Sequence, residues 1–496
     1  MNQIIDTLIS IKQVFDLSRG GHQVSLSPAA KARIIHCREF LDSYLEKNEE
    51  PVYGINTGFG ALADTKIDEK DLGRLQVNLV RSHACGMGEE LDAEIVRAMI
   101  LLKIQGLSLG HSGVKLETVE LLCACFNRDI LPVIYSKGSL GASGDLAPLA
   151  HMSMTLLGEG EVDFKGIRMS SAEAFNKEGL KALDLGSKEG LALLNGTQFM
   201  SSHASIISHE AERLFHWADT IAALSLEAMD GHLSPFYKGI HEVRPHPGQQ
   251  KVASFIRSIL SDSTGISRKK EHVQDPYCLR CVPQVHGASW DTLEHVKKVV
   301  SIEISSVTDN PTIFPEEGLI ISAGNFHGQS LSIAMDCIAI AMAEIASISE
   351  RRTYKMNCAV RGLPAFLVKD PGLNSGFMIS QYTAASMVSE NKQLCTPASV
   401  DTIDSSKGQE DHVSMGANAA TKAYKVLDNM RNVLGIELFN ASQALEIRGI
   451  SETSQVLKGV HAKFRKEVPF IHEDVYMHPL MKKSAEFLSH NEAPTF

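Results

Sequence analysis

The run Ile338-Ala339-Ile340-Ala341-Met342-Ala343-Glu344-Ile345-Ala346-Ser347-Ile348 is the centre of a longer stretch, Ser330 to Tyr354, in which apolar and small residues nearly surround a helical axis. A helix that is apolar on most sides must be buried on most sides, so this stretch predicts the core of a packed helical protein. Glu344 interrupts the run, which falls far short of the roughly 20 apolar residues that cross a bilayer, so no membrane span is expected. Further out, Ser205 to Met229 sets Ile207, Leu214, Trp217, Ile221, Leu224 and Leu226 at helical spacing among Glu210, Glu212, Arg213 and Asp219. Ala93 to Gln105 and Ala417 to Leu445 repeat the pattern. Strand signals are few and short, for instance Glu161-Val162-Asp163-Phe164 ahead of a turn at Lys165-Gly166. The expectation is a mainly α protein with long packed helices and minor β content.

At about 150 residues per domain, 496 residues suggest roughly three domains. No Pro, Ser or Gly tract separates them, so one large unit spanning 1–496 is expected. A chain that is 44% hydrophobic and 22% charged is too apolar for intrinsic disorder. The formal charge of −11, from 48 Lys+Arg against 59 Asp+Glu, has the wrong sign for a nucleic-acid binder that works by counterion release. Met1-Asn2-Gln3-Ile4-Ile5-Asp6 lacks the basic, then apolar, pattern of a secretory signal. Nine scattered cysteines, an odd number, resemble reduced thiols more than a disulfide framework, and the expected compartment is the cytoplasm.

Glycine and small-residue runs fall between the helical stretches, where function concentrates. They are Tyr53 to Gly60, Lys137 to Asp145 and Ala323 to Gly328. For Gly138 to Asp145, one reading is a turn with Asp145 capping the helix-like run Leu146 to Leu157. A phosphate cradle is a second, but the Gly-Lys-Ser/Thr ending is missing. A nucleophilic serine is a variant, but Ser143 lies outside a Gly-x-Ser-x-Gly frame. The last reading is self-modification. In Ala142-Ser143-Gly144 the Gly144 amide nitrogen can attack the Ala142 carbonyl carbon if small residues let the backbone bend tightly. Loss of water from the ring and from the Ser143 side chain then leaves a methylidene conjugated to a carbonyl, an electrophile made without an added cofactor.

The run Gly141-Ala142-Ser143-Gly144-Asp145-Leu146-Ala147-Pro148-Leu149-Ala150-His151 resembles the signature of the aromatic amino acid ammonia-lyases. Further runs resemble family motifs in family order: Tyr53 to Gly60, Leu194-Asn195-Gly196-Thr197-Gln198, Gln274 to Cys281, Asp309-Asn310-Pro311, Gly324-Asn325-Phe326-His327 and Gln409 to Met415. The resemblance spans nearly the whole chain. It implies an elongated multi-helix bundle core with a smaller N-terminal globular part, at about 1–110, and a helical part over 111–496 that contains the prosthetic-group loop. It also implies a homotetramer with shared active sites. The implied prosthetic group is 4-methylidene-imidazole-5-one formed autocatalytically from Ala142, Ser143 and Gly144, with no metal and no dissociable cofactor.

By the same resemblance Tyr53, Tyr277 and Glu410 join Ala142, Ser143 and Gly144 in the catalytic set, with Tyr53 the general base. His83, Asn195, Gln274, Arg280, Asn310 and Phe326 bind the substrate, Arg280 by pairing bidentately with its carboxylate. A tyrosine base needs nearby donors or cations that favour the phenolate. Glu410 stands where the histidine branch of the family carries a glutamate, which would pair with an imidazole and be costly to bury against a phenyl ring. Ser82-His83 matches the same branch. The implied reaction is elimination of ammonia from L-histidine to give trans-urocanate, the first step of histidine degradation. The alternative is a tyrosine or phenylalanine lyase, or a 2,3-aminomutase, using the same electrophile. A non-catalytic scaffold would be free to lose the reactive set, yet Tyr53, Ser143, Asn195, Arg280 and Glu410 are all present. Gly408, His286 and Gln329 depart from the family pattern, which carries asparagine, an apolar residue and glutamate there. Cys278 and Cys281 form a Cys-x-x-Cys with no second pair, a poor zinc or redox site.

Overall fold

In the computed structural model of the chain, which describes residues 2–48, 50–62 and 64–495, the run Ser330 to Tyr354 lies within one 28-residue helix, Gln329–Met356. Leu331, Met335, Ile338, Met342 and Ile345 are fully buried along it, while Ile333, Ile340 and Tyr354 stay exposed on a stripe with a seven-residue beat. By length and composition this helix is apolar enough to cross a membrane, more so than the interrupted run suggested. Two thirds of its most apolar window is nevertheless buried within the chain, as in a core helix.

The other helical patterns are also realised. Ala93–Ser108, Gln198–Ala228 and Gly416–Arg448 contain the stretches picked out by periodicity. Helix accounts for 58% of the chain, in 18 α-helices among the described residues, so the mainly α expectation holds. The strands are three or four residues long and form four small sheets. Glu161–Phe164 pairs antiparallel with Ile167–Ser170 across Lys165-Gly166, both at positive φ, as a tight right-twisted hairpin requires.

The chain forms two compact units, each discontinuous in sequence. One comprises 1–209, 297–336 and 397–421; the other comprises 210–296, 337–396 and 422–496. In the first unit, Ala93–Ser108 packs against Ile11–Ser18 and Leu116–Asn127. Among the buried side chains of Ala93–Ser108 is Lys103, which is 1% exposed. In the second unit, a buried polar network takes the place of an all-apolar core. Arg352 pairs with Glu437 through Nε and Nη2 at 2.6 and 2.8 Å, both side chains fully buried. His286 donates from Nδ1 to Asp219 at 2.6 Å and accepts from Arg352 at Nε2 at 3.4 Å. The Trp290 indole donates to the other Asp219 oxygen at 2.9 Å. His286, one of the departures, is thus a satisfied core residue in its neutral tautomer, its pKa held below the ordinary imidazole value by burial.

Candidate active site

The tripeptide Ala142-Ser143-Gly144 sits in the first unit at the N-terminus of the helix Leu146–Leu156. Asp145 occupies the N-cap position but makes no cap bond. Its carboxylate instead accepts from Ser139 Oγ at 2.8 Å and from the Met200 amide at 3.0 Å, tying the loop to the start of Gln198–Ala228. Burial pushes this carboxyl up to about 7, against those two donors. The loop is fixed on both sides. Gly141 O accepts from Ser414 Oγ at 2.8 Å, Leu140 O from the Met415 amide at 2.8 Å, and Gly196 O from the Asp145 amide at 2.7 Å. Gly144 is at φ +78°, and a Cβ there would lie 2.2 Å from Gly196 O, so no other residue fits.

Asn195 ends the helix Glu189–Leu194 in an extended conformation. From there its Nδ2 donates to the Ser143 carbonyl at 2.5 Å, while its buried Oδ1 has no hydrogen-bond partner. Ser143 Oγ donates to Glu410 Oε1 at 2.8 Å, and Ser405 Oγ to Glu410 Oε2 at 2.7 Å. Glu410 is held by a short two-way backbone pairing with Ser405 across the turn that contains Gly408. Gly408 lies at φ +80° with nothing near the place of a Cβ. Glycine and asparagine are the residues that adopt this left-handed conformation most readily, which accounts for that departure.

A cavity of about 610 Å³ opens over the tripeptide. Tyr53, His83, Ser143, Asn195, Asn310, Phe326 and Glu410 all line it. A second cavity of about 270 Å³ shares Tyr53, Ser143, Asn310, Phe326 and Glu410, and adds Ala142 and His327. Residues far apart in sequence therefore face one chamber. The Tyr53 hydroxyl oxygen accepts from the Gly60 amide at 3.3 Å. His83 Nδ1 lies 2.9 Å from Leu79 O, which assigns its proton to Nδ1 and leaves Nε2 as an acceptor. Burial lowers its pKa, against the Leu79 carbonyl and the charge of Glu410. Asn310 is committed elsewhere: Nδ2 donates to Ser322 Oγ at 3.0 Å and Oδ1 accepts from the Ala323 amide at 2.6 Å. It braces the segment that leads to Phe326.

Gln274, Tyr277 and Arg280 belong to the second unit and line neither cavity. Tyr277 is 70% exposed, and the Arg280 guanidinium stacks over its ring at 4.5 Å. Arg280 Nε is buried without a partner, leaving this cation unspent. Two residues of the first unit escaped motif reading. Ser405 fixes the second oxygen of Glu410, and Lys103 holds the carbonyl of Asn195. A lysine inside Ile100-Leu101-Leu102-Lys103-Ile104 was the only signal for the latter.

Residues 9–466 match the family described as aromatic amino acid lyase. Histidine ammonia-lyase of Deinococcus radiodurans is 47% identical over 98% of this chain and 93% of its own length. The crystal structure of histidine ammonia-lyase from Trypanosoma cruzi superposes with a TM-score of 0.92 at 38% identity, covering 99% of this chain and 93% of that one. That of tyrosine aminomutase from Streptomyces globisporus does so with a TM-score of 0.94 at 34% identity, covering 99% and 97%. With this likeness running almost end to end, and the signature loop closed in as described, the chain belongs to the aromatic amino acid lyase family.

Proposed function

We propose that the protein eliminates ammonia from L-histidine to give trans-urocanate. The observation that carries this is the Glu410 carboxylate, facing a cavity that His83 and Tyr53 also line. A carboxylate accepts from an imidazole N–H and pairs with an imidazolium, whereas a phenyl ring leaves it desolvated and unpaired. His83, with an acceptor nitrogen free, can receive the other ring N–H.

The tripeptide fits the family's prosthetic group. Asn195 aims an amide donor at the Ser143 carbonyl, the glycine at 144 admits no Cβ, and Ala142 is only 7% exposed. When formed, the group supplies the electrophilic methylidene that takes up the substrate and makes ammonia a competent leaving group. Asn195, which donates to the Ser143 carbonyl, would polarise that carbonyl in the formed group. Tyr53, its oxygen held by the Gly60 amide, takes the β-proton. Arg280, with a donor to spare, pairs with the substrate carboxylate, and Gln274 and Tyr277 help hold the substrate.

We assign those last three residues to a neighbouring subunit of a homotetramer. The exposed Ile333, Ile340 and Tyr354 stripe supports association. So does the helix Met378–Leu394, which buries only Ser380, Ala384 and Asn391 while Ile379 and Tyr382 face outward. The test is direct. Purified protein given histidine, tyrosine or phenylalanine should show urocanate absorbance and little coumarate or cinnamate; no urocanate would overturn the assignment.

A further inference from the structure

Lys103 is 1% exposed on the helix Ala93–Ser108 of the first unit, among Met99, Ile100, Leu102 and Ile104, where an amine is costly to place. Its Nζ donates to Asn195 O at 2.8 Å and to Ala192 O at 3.1 Å. These carbonyls belong to the last turn of Glu189–Leu194, where helix geometry leaves C=O groups without partners. Lys103 is therefore the cap of that helix, and it fixes where the chain leaves it. The next bonds reach the reactive loop: Asn195 Nδ2 to the Ser143 carbonyl, and the Asp145 amide to Gly196 O. A single residue, Asn195, links the lysine to the tripeptide by hydrogen bonds.

Burial brings the Lys103 amine down to about 7, with Asp309 and Asp145 opposing the shift and Lys188 assisting it. Glycine or water caps a helix end at lower cost.

We infer that Lys103 is a positioning residue for formation of the electrophile, holding Asn195 and Gly196 so that residues 142–144 are bent for ring closure. In that closure the Gly144 nitrogen bonds to the Ala142 carbonyl carbon. The carbonyl oxygen leaves as water with the protons of the Gly144 and Ser143 nitrogens, and the Ser143–Ala142 linkage becomes C=N. A second water carries away the Ser143 hydroxyl and its Cα proton, leaving Cα=Cβ. No oxidant is needed. Lys103 moves no atom in either step; it sets the conformer from which both proceed.

This inference rests on the cyclisation proposed above, and intact mass separates the two. The parent protein should be two waters light, and a parent at full mass would remove the cyclisation itself. K103M keeps the length and apolarity of the stem but frees both carbonyls. Its folded protein, checked by circular dichroism, should accumulate at full mass, with conversion slowed on the order of 10- to 100-fold for loss of the two hydrogen bonds that hold Asn195 and Ala192. A merely structural lysine would lower the melting temperature and leave the mass of folded protein unchanged from the parent. K103M as light as the parent overturns the inference. Should K103M not fold, K103Q is read instead: its terminal nitrogen is one bond nearer the backbone and uncharged and falls short of the two carbonyls that Nζ bridges, so incomplete conversion is expected and full conversion overturns the inference.

Discussion

The Ser143 hydroxyl donates to the Glu410 carboxylate at 2.8 Å, although 267 residues separate them. The hydroxyl whose loss is proposed for the tripeptide and the carboxylate proposed to read the substrate ring thus touch directly. Ser143→Ala removes the first. It is expected to fold, keep both backbone clasps at Leu140 and Gly141, remain unconverted by intact mass and lose most activity. Near-normal urocanate formation would contradict the role of Ser143.

Glu410→Gln keeps a hydrogen-bonding side chain beside Ser143 but removes the charge. Conversion of the loop should survive, while kcat/KM for histidine falls about 10- to 100-fold, the loss of one charged hydrogen bond. Steady-state kinetics paired with intact mass checks both halves of this prediction.

Gly144→Ala puts a Cβ 2.2 Å from Gly196 O at φ +78°. The overlap is expected to cost about 1–3 kcal/mol, and the left-handed backbone a further ~1–2 kcal/mol. The variant should melt earlier and stay at full mass.

Arg352→Met leaves Glu437 buried without its cation and His286 Nε2 without its donor. A loss of about 3–5 kcal/mol is expected from breaking one side of a buried pair, whereas the double change R352M/E437M should recover much of it. Denaturation of the two singles and the double measures the coupling.

The contribution of His203 to stability should fall in mild acid. Burial brings His203 from 6.5 down to about 4, so the folded protein holds this ring neutral where the unfolded chain protonates it. The sign follows: the contribution is complete above about 6.5 and is lost as pH drops towards 4, up to about 3 kcal/mol in all. His286 shifts in the same direction. Asp145, pushed up to about 7 by burial, slopes the opposite way over the same window, so the His203 share is read by difference: the stability advantage of the parent over His203→Gln should shrink as pH falls from about 6.5 towards 4, and an advantage that does not change with pH would remove this account.

The long helices were legible because burial on one or more sides leaves a 3.6-residue beat that needs no tertiary information. Ser330 to Tyr354 and Ala417 to Leu445 were found within a few residues of their ends. Ser143, Glu410 and Tyr53 were legible only as motif members, since nothing in their spacing says that they face one cavity. Lys103 stood out only as a lysine in an apolar run; what it holds, a carbonyl 92 residues away, left no mark in the sequence. Asn310 was half legible, its turn evident from Pro311 but its grip on Ser322 and Ala323 hidden. His286 looked out of place until Asp219 and Arg352 supplied partners from other helices.

The clasp on the reactive loop has a temporal side. Leu140, Gly141 and Ser143 are gripped by Met415, Ser414 and Glu410, which a ribosome delivers only after more than four fifths of the polypeptide has emerged. The ring closure proposed above, which this grip prepares, would therefore take place in a chain that is already mostly synthesised.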